Sequence, residues 1–278
     1  MNDFFSSSAP STHVKHGSAA FDLPIRYFRD DMFSLFFSAN MAAIRRLMPS
    51  KKLHPVSVGK GRAMLAVAAF NYLETSIGPY GEVAVAIPVV HGRRPLPLVP
   101  ALLQGAYPGF GALVLHLPVT RTVARDAGRG EWGYPKFVAD MRFTHTPEHH
   151  ECVLGEAGQN ILTLRVARHG HFARSTQSMV TYSVRQGELV ETVIPQVGSL
   201  RWSLGCGGSS LELGDHAVSA SLRDLGISKR PLMQRYFVER AGILPAGSVV
   251  ESSVRPLEGY LGADREGDHQ VFYETRRS

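Results

Sequence analysis

The chain has 278 residues, of which 44% are hydrophobic and 19% charged, and it carries a formal net charge of +6. That balance excludes a disordered or fibrous chain, and the length suffices to bury a substantial core. The excess positive charge is scattered as short pairs, Arg45/Arg46, Lys51/Lys52 and Arg93/Arg94, without the aromatic-interleaved stripe of a nucleic-acid surface, so no nucleic-acid partner is expected.

Residues 1–20 are rich in Ser, Pro and His and lack the apolar stretch of a secretory signal; they are expected to be a loose tail ahead of a single domain over 21–278. Next, NMAAIRRLMP places Met41, Ile44, Leu47 and Met48 at helical intervals and predicts a helix that stops at Pro49. Seven short runs follow: GRAMLAVAAFNYL, EVAVAIPVV, GALVLHLPV, KFVADMRF, NILTLRVARH, MVTYSVR and ELVETVIP. Several alternate or are β-branched, and Gly, Pro, Asn and Asp separate them, which predicts strands. With no long helices between them, they argue for an antiparallel barrel or sandwich and against βαβ units. Late in the chain, DHAVSASLRDLG and PLMQRYFVERAG read as two helices closed by Gly226 and Gly242. No window has the roughly 18 uninterrupted apolar residues of a membrane helix, since GEVAVAIPVV is cut by Pro88 and His91, and no membrane association is expected. Cys152 and Cys206 fit no zinc or C-x-x-C spacing and read as thiols of a reducing, cytoplasmic compartment.

The segment GRGEWGYPKFVADMRF at 128–143 contains a literal G-x-G-x-x-G at Gly128, Gly130 and Gly133. A dinucleotide cradle needs a strand before its first glycine and a helix after its second. Here TRTVARDA, helical or turn-like, precedes the glycines, and Tyr134-Pro135 and an alternating strand follow them. The context is reversed, and no cofactor is expected.

Lys136 is the more telling residue. Only six of the 30 cations are lysines, so one framed by Trp132, Tyr134 and Phe137 stands out. Read from spacing alone, it is a solvated lysine whose stem covers apolar surface. The functional alternative is an imine-forming amine, which must be neutral to attack. At the usual lysine pKa of about 10.4, only about one molecule in 2,500 is neutral at pH 7. Desolvation by aromatic rings, with help from cations such as Arg129 or Arg142, would favour the neutral form.

GRGEWGYPK resembles the lysine segment of acetoacetate decarboxylases, with Gly128, Arg129, Tyr134, Pro135 and Lys136 matching in order. PYGEVAVAIPV at 79–89 resembles the family's Tyr-x-Glu segment and implies an active-site carboxylate at Glu82. FSANMAAIRRLMP resembles its early helix, and LELGDHAVSASLRDL its later Asp-His-Ala segment, so the likeness runs from about residue 28 to about 244. The resemblance implies an α+β, mainly β fold, an antiparallel β-barrel-like core with a few packed helices, and a homo-oligomer. It implies a Schiff-base carbon–carbon lyase in which Lys136 attacks the ketone of a β-keto acid and the iminium takes up the electrons left by departing carbon dioxide.

By the same likeness Glu82 orients substrate or moves a proton, Arg29 pairs with the substrate carboxylate, and Trp132, Tyr134 and Phe137 line the binding site. Three departures follow. The family's second lysine is replaced by Phe137, its second glutamate falls near Val67, and its arginine matches Arg29 only with a one-residue shift, within an RDD stretch that also reads as a surface charge cluster. An aldolase-dehydratase acting on another oxo acid, or a barrel that merely holds a small ligand, therefore stand as alternatives. HTPEHHE at 145–151 has ligand-type residues but reads as a polar turn, and no metal is expected. GCGGSS at 205–210 lacks a paired base and offers no nucleophilic serine.

Overall fold

The computed structural model describes residues 2–6, 11–17, 19–103, 106–257 and 259–263. Helix α1 (Asn2–Ser6) precedes a hairpin of β1 (Thr12–His16) and β2 (Ala19–Leu23). The long strand β3 (Ile25–Asn40) runs into helix α2 (Met41–Leu47), followed by β4 (Leu53–Pro55), β5 (Ser57–Gly59), β6 (Arg62–Thr75) and β7 (Tyr80–His91). Helix α3 (Val99–Leu103), strand β8 (Phe110–His116), helix α4 (Thr122–Ala127) and a π-helical turn (Gly128–Trp132) lead to the lysine segment. Then come β9 (Asp140–His145), β10 (His149–Glu156), β11 (Gln159–Ala167), β12 (His171–Ser175), β13 (Met179–Arg185), β14 (Glu188–Ile194), β15 (Gln196–Ser203) and β16 (Ser210–Leu213). Helix α5 (Ala217–Asp224) and strands β17 (Met233–Leu244) and β18 (Ser248–Ser252) end the described chain.

The fold is mainly β with few helices, as expected. One ladder runs β12-β15-β17-β3-β6-β7-β8-β13-β14-β18, with β4 and β5 appended, and a four-stranded sheet runs β16-β11-β10-β9. Its neighbours are antiparallel except for a short parallel contact of β8 with β13. Among the described residues the long ladder does not close on itself, since β12 and β18 are its two ends. The closed-barrel detail of the expectation is not seen.

Each face of the long sheet carries its own apolar cluster. Strand side chains alternate between faces. On β6 and β7, Leu65, Val67, Ala69, Val83 and Val85 join the cluster under β9–β11 and α5. Ala68, Phe70, Tyr72 and Tyr80 join the other, under the β1–β2 hairpin, α4 and the π-turn. This second face is the inner face of the sheet.

Six of the seven expected runs fall on strands, while KFVADMRF becomes strand only from Asp140, and α2 starts where expected because the Asn40 side chain accepts hydrogen bonds from Ala42 and Ala43 backbone N–H groups. Helix α5 is closed by Gly226 at φ 60°. Two expectations fail. PLMQRYFVERAG is strand β17, not a helix: it lies between β15 and β3, and Tyr236 and Phe237 are buried in opposite clusters. A register shift near Val238 breaks its alternation, so its apolar spacing imitates a helix. Part of the expected loose tail is also ordered, because Thr12–His16 pairs with Ala19–Leu23 and His16 Nε2 bonds Glu131 on the π-turn at 2.9 Å. HTPEHHE is a tighter turn than expected, and His149 already begins β10.

Two buried histidines make the fold acid-sensitive. Burial, with the His216 ring second, pushes the His116 imidazole down from 6.5 to about 4. Burial, with His145 second, takes His150 to about 4 as well. The folded state holds both rings neutral, whereas the unfolded chain takes up protons as pH falls below about 6.5. Stability is therefore present above about pH 6.5 and lost as pH falls toward about 4, by up to about 1.4 kcal/mol per pH unit for each ring. Urea unfolding at about pH 7 and about pH 5 reads this loss, and His116→Gln is expected to lessen it.

Candidate active site

Three lateral contacts bring the lysine segment to the sheet. Val119, just past the end of β8, bridges Glu82 on β7 on one side and Val138 on the other. Val119 N–H donates to the Phe137 carbonyl at 2.8 Å, and Leu117 N–H to that of Pro135 at 3.1 Å. Residues 134–139 thus lie extended beside 117–119, and Lys136 comes to the inner face opposite Glu82.

Lys136 is 5% exposed and Glu82 7%. The Nζ of Lys136 donates to Glu82 Oε2 at 2.7 Å. The other carboxylate oxygen, Oε1, accepts from the Tyr72 hydroxyl at 3.2 Å. The Tyr80 and Tyr134 rings lie 5.8 Å and 5.9 Å from Nζ. Tyr72 packs on Tyr27 and Tyr80 with centroids 4.5 Å and 4.6 Å apart, and the Tyr27 and Tyr80 hydroxyls are 3.0 Å apart. Tyr134 shares a 2.7 Å bond with Thr181. Burial, reinforced by the Glu82 carboxylate, raises the Tyr72 phenol well above its usual 10, and burial takes Tyr134 to about 12. These phenols keep their protons at neutral pH and act as donors. The amine and carboxylate can exchange a proton directly, in surroundings where fixed hydroxyls replace water.

The three glycines of the false nucleotide motif each answer a contact. A Cβ on Gly128 would lie 2.4 Å from Lys136 Cδ, one on Gly130 would lie 2.3 Å from His16 Cγ, and one on Gly133, whose φ is +68°, would lie 2.5 Å from the Val184 carbonyl oxygen. The first matters most, because the lysine stem passes over bare backbone. Gly128 has helical dihedrals (φ −66°, ψ −41°), so alanine fits its backbone. Gly128→Ala is therefore expected to fold with a lowered melting temperature while pushing the amine away from Glu82. A misplacement of about 1 Å slows the chemistry by about 100-fold, which the rate of borohydride-trapped adduct would read.

The remaining expected site residues divide. Tyr134 reaches the amine. Trp132 backs it, stacked on Tyr134 at 5.9 Å with its indole N–H donating to the Pro245 carbonyl at 2.9 Å. Phe137 is fully buried in the opposite cluster, edge-on to Tyr260, and brings no cation. Arg129 donates through Nε to the Lys136 carbonyl and through Nη2 to that of Leu261, both at 2.7 Å, while Arg142 is exposed on β9. Neither fulfils the expected role beside Nζ.

Arg29 is a correction. It is exposed at a bulge of β3, and the buried residue there is its neighbour Asp30, which pairs with Arg240 of β17 at 2.7 Å. Val67, where the second glutamate was expected, faces the opposite cluster. Ala66 and Ala68, on the Glu82 face, carry no carboxylate either. Sequence reasoning missed Tyr27, Tyr72, Tyr80, Asp30 and Arg240. Tyr80 stands in the quoted PYGEV stretch, and Tyr72 follows from it once the β6–β7 register opposes the two.

A family model described as Acetoacetate decarboxylase (ADC) matches residues 8–253. A solved structure from structural studies of acetoacetate decarboxylase superposes with a TM-score of 0.63 at 18% identity, covering 82% of this chain and 90% of its own. The acetoacetate decarboxylase of Legionella pneumophila subsp. pneumophila str. Philadelphia 1 gives a TM-score of 0.61 at 16% identity, over 90% of this chain and 94% of its own. The enduracididine biosynthesis enzyme MppR, solved with the condensation product of pyruvate and imidazole 4-carboxaldehyde, gives 0.53 at 12% identity, over 87% and 98%. At such identities the superpositions speak for the fold alone. No match was found among curated protein sequences.

Proposed function

Because the chain belongs to the acetoacetate decarboxylase family, we propose that it is a Schiff-base carbon–carbon lyase acting on a β-keto acid through Lys136. The observation that carries this reading is the buried amine 2.7 Å from the Glu82 carboxylate, in a frame of tyrosines.

Glu82 takes a proton from the Lys136 ammonium, and the freed Nζ attacks the substrate ketone. A C–N bond forms, the carbonyl oxygen takes one proton from the attacking nitrogen and the other back from Glu82 and leaves as water, and a cationic iminium remains. The bond to the carboxylate then breaks, its electron pair moving into the iminium to give a neutral enamine as carbon dioxide departs. Glu82, reprotonated from water, protonates the enamine carbon, and hydrolysis of the resulting iminium releases the ketone and restores the amine. Tyr72, donating to Oε1, keeps Oε2 turned toward Nζ.

A second reading, aldol condensation or dehydration on a larger oxo acid, draws on the likeness to MppR and on Phe137 in place of a second cation. Both readings use the same amine. Incubation with acetoacetate and other β-keto acids, borohydride reduction and peptide mapping would place an adduct on Lys136, and absence of any adduct would overturn both. Carbon dioxide release from acetoacetate favours the lyase, and condensation or dehydration products without it favour the second. Both cysteines are free thiols and Cys152 is buried, as a cytoplasmic setting would keep them.

A further inference from the structure

Beyond the amine, the inner face carries a row of alternating rings and cations. Tyr72 stacks on Phe70 at 5.5 Å. The Arg240 guanidinium lies 5.4 Å from the Phe70 ring and 5.8 Å from that of Phe237. Arg235 lies 5.7 Å from the same Phe237 ring and 5.5 Å from Phe36. The row therefore leads from Lys136 and Glu82, past Tyr72 and Phe70, to two arginines on either side of Phe237.

The two arginines are unequally answered. Arg240, 4% exposed, gives Nη1 to Asp30 and Nε to Gln196 Oε1 at 2.9 Å, which leaves Nη2 available. Arg235 has no acidic partner among the described residues, and its Nε is buried without a hydrogen bond. Burial, with the Arg240 charge second, lowers the Arg235 guanidinium to about 10. Asp30 Oδ1 in the same row is also buried without a partner. Arg235 is half-buried with its Nε fully covered and unpartnered beside a second cation, an arrangement that an anion would relieve, and a carboxylate is the planar anion that such forks match. A hydroxyl or water beside that carboxylate would satisfy Asp30.

We infer that Arg240 and Arg235 receive a carboxylate carried at the far end of the substrate from the carbonyl that Lys136 attacks. The substrate class is then an oxo acid with a retained, distal carboxylate and an extended or flat body lying along Tyr72 and Phe70. This inference rests on the Schiff-base reading for the position of the carbonyl. The competing account is that Arg235 only packs between Phe36 and Phe237.

Two methyl ketones matched but for a terminal carboxylate, 6-oxoheptanoate and 2-heptanone, test it through borohydride trapping on Lys136. In the unaltered protein the oxo acid is expected to half-saturate labelling at about tenfold lower concentration or less, the worth of a charge-assisted fork. In Arg235→Met, and in Arg240→Lys, which keeps the charge but loses the fork, that ratio is expected to fall to about three or below. The melting temperature of Arg235→Met is not expected to drop, because the variant removes a cation with no acid partner. Equal half-saturation in the unaltered protein, or a ratio that survives Arg235→Met, would overturn the receptor. Labelling by neither probe would instead overturn the Schiff-base reading. Calorimetry with heptanoate then decides the receptor alone: binding lost in Arg235→Met upholds it, and no binding to the unaltered protein overturns it.

Discussion

Lys136→Ala is expected to abolish borohydride-trapped labelling and to lower turnover of any oxo-acid substrate by about 10⁴-fold or more, the scale seen when a covalent nucleophile is removed. The effect is chemical in origin, since no second lysine stands beside it: the next residue is Phe137, buried in the opposite cluster. The substitution also strands Glu82, 7% exposed, with the Tyr72 hydroxyl as its remaining hydrogen-bond partner. A buried pair that loses one member costs about 3–5 kcal/mol, so part of the lost activity could be lost fold. Lys136→Met combined with Glu82→Gln removes both charges and is expected to recover most of the stability and none of the labelling. Glu82→Gln alone keeps the nucleophile but loses the proton carrier, and slowed labelling with the adduct still confined to Lys136 is the expected result. Thermal melting and peptide mass, measured on the same samples, separate the two effects.

Arg240→Met is expected to cost about 3–5 kcal/mol of stability in urea unfolding at neutral pH. Arg240 and Asp30 are 4% and 2% exposed, so the substitution leaves a buried carboxylate without its ion-pair partner. In the intact protein burial already raises the Asp30 carboxyl above its usual range, with Arg240 pulling it back down. Without Arg240 the folded chain holds that proton more tightly than the unfolded chain, whose carboxyl titrates at about 3.9. A raised folded value means that the folded state binds more protons as pH rises past about 3.9, so stability falls with rising pH until the folded carboxyl ionises. The deficit of Arg240→Met is therefore expected to be smaller at about pH 5 than at about pH 8. Asp30→Asn together with Arg240→Met removes both charges and is expected to recover most of the loss; a double variant as unstable as the single one would overturn the pairing as its cause.

The parts of the fold that could be read beforehand were those whose pattern is local. Asn40 before an apolar repeat and Pro49 after it bound α2, and the β6–β7 pair shows itself by apolar runs on either side of Gly78 and Pro79. In the sequence β17 reads as a helix and β3 does not read as an element, for one shared reason. In β3 and β17 alternation does not survive, because Phe33 and Met32, or Tyr236 and Phe237, are buried on opposite sides at once. Lys136 and Glu82 were legible through family resemblance, not through spacing. Arg29 was taken for the buried charge because RDD says nothing of which of its members points inward. That depends on a bulge in β3 and on an arginine 210 residues away.

Strand β3 takes its second neighbour late. Ser34 faces Arg235 across 201 residues of chain, so β17 is made long after β3 leaves the ribosome. Until then the run FSLFFSA has β6 on one edge and nothing on the other, which is the exposed apolar edge on which nascent chains aggregate. Contacts of such sequence separation also slow folding, because loop-closure entropy is spent before they form. The strand that brings Arg235 and Arg240 is therefore also the one that caps this edge. Protection of this edge during synthesis is therefore expected to govern how much of the chain reaches the folded state.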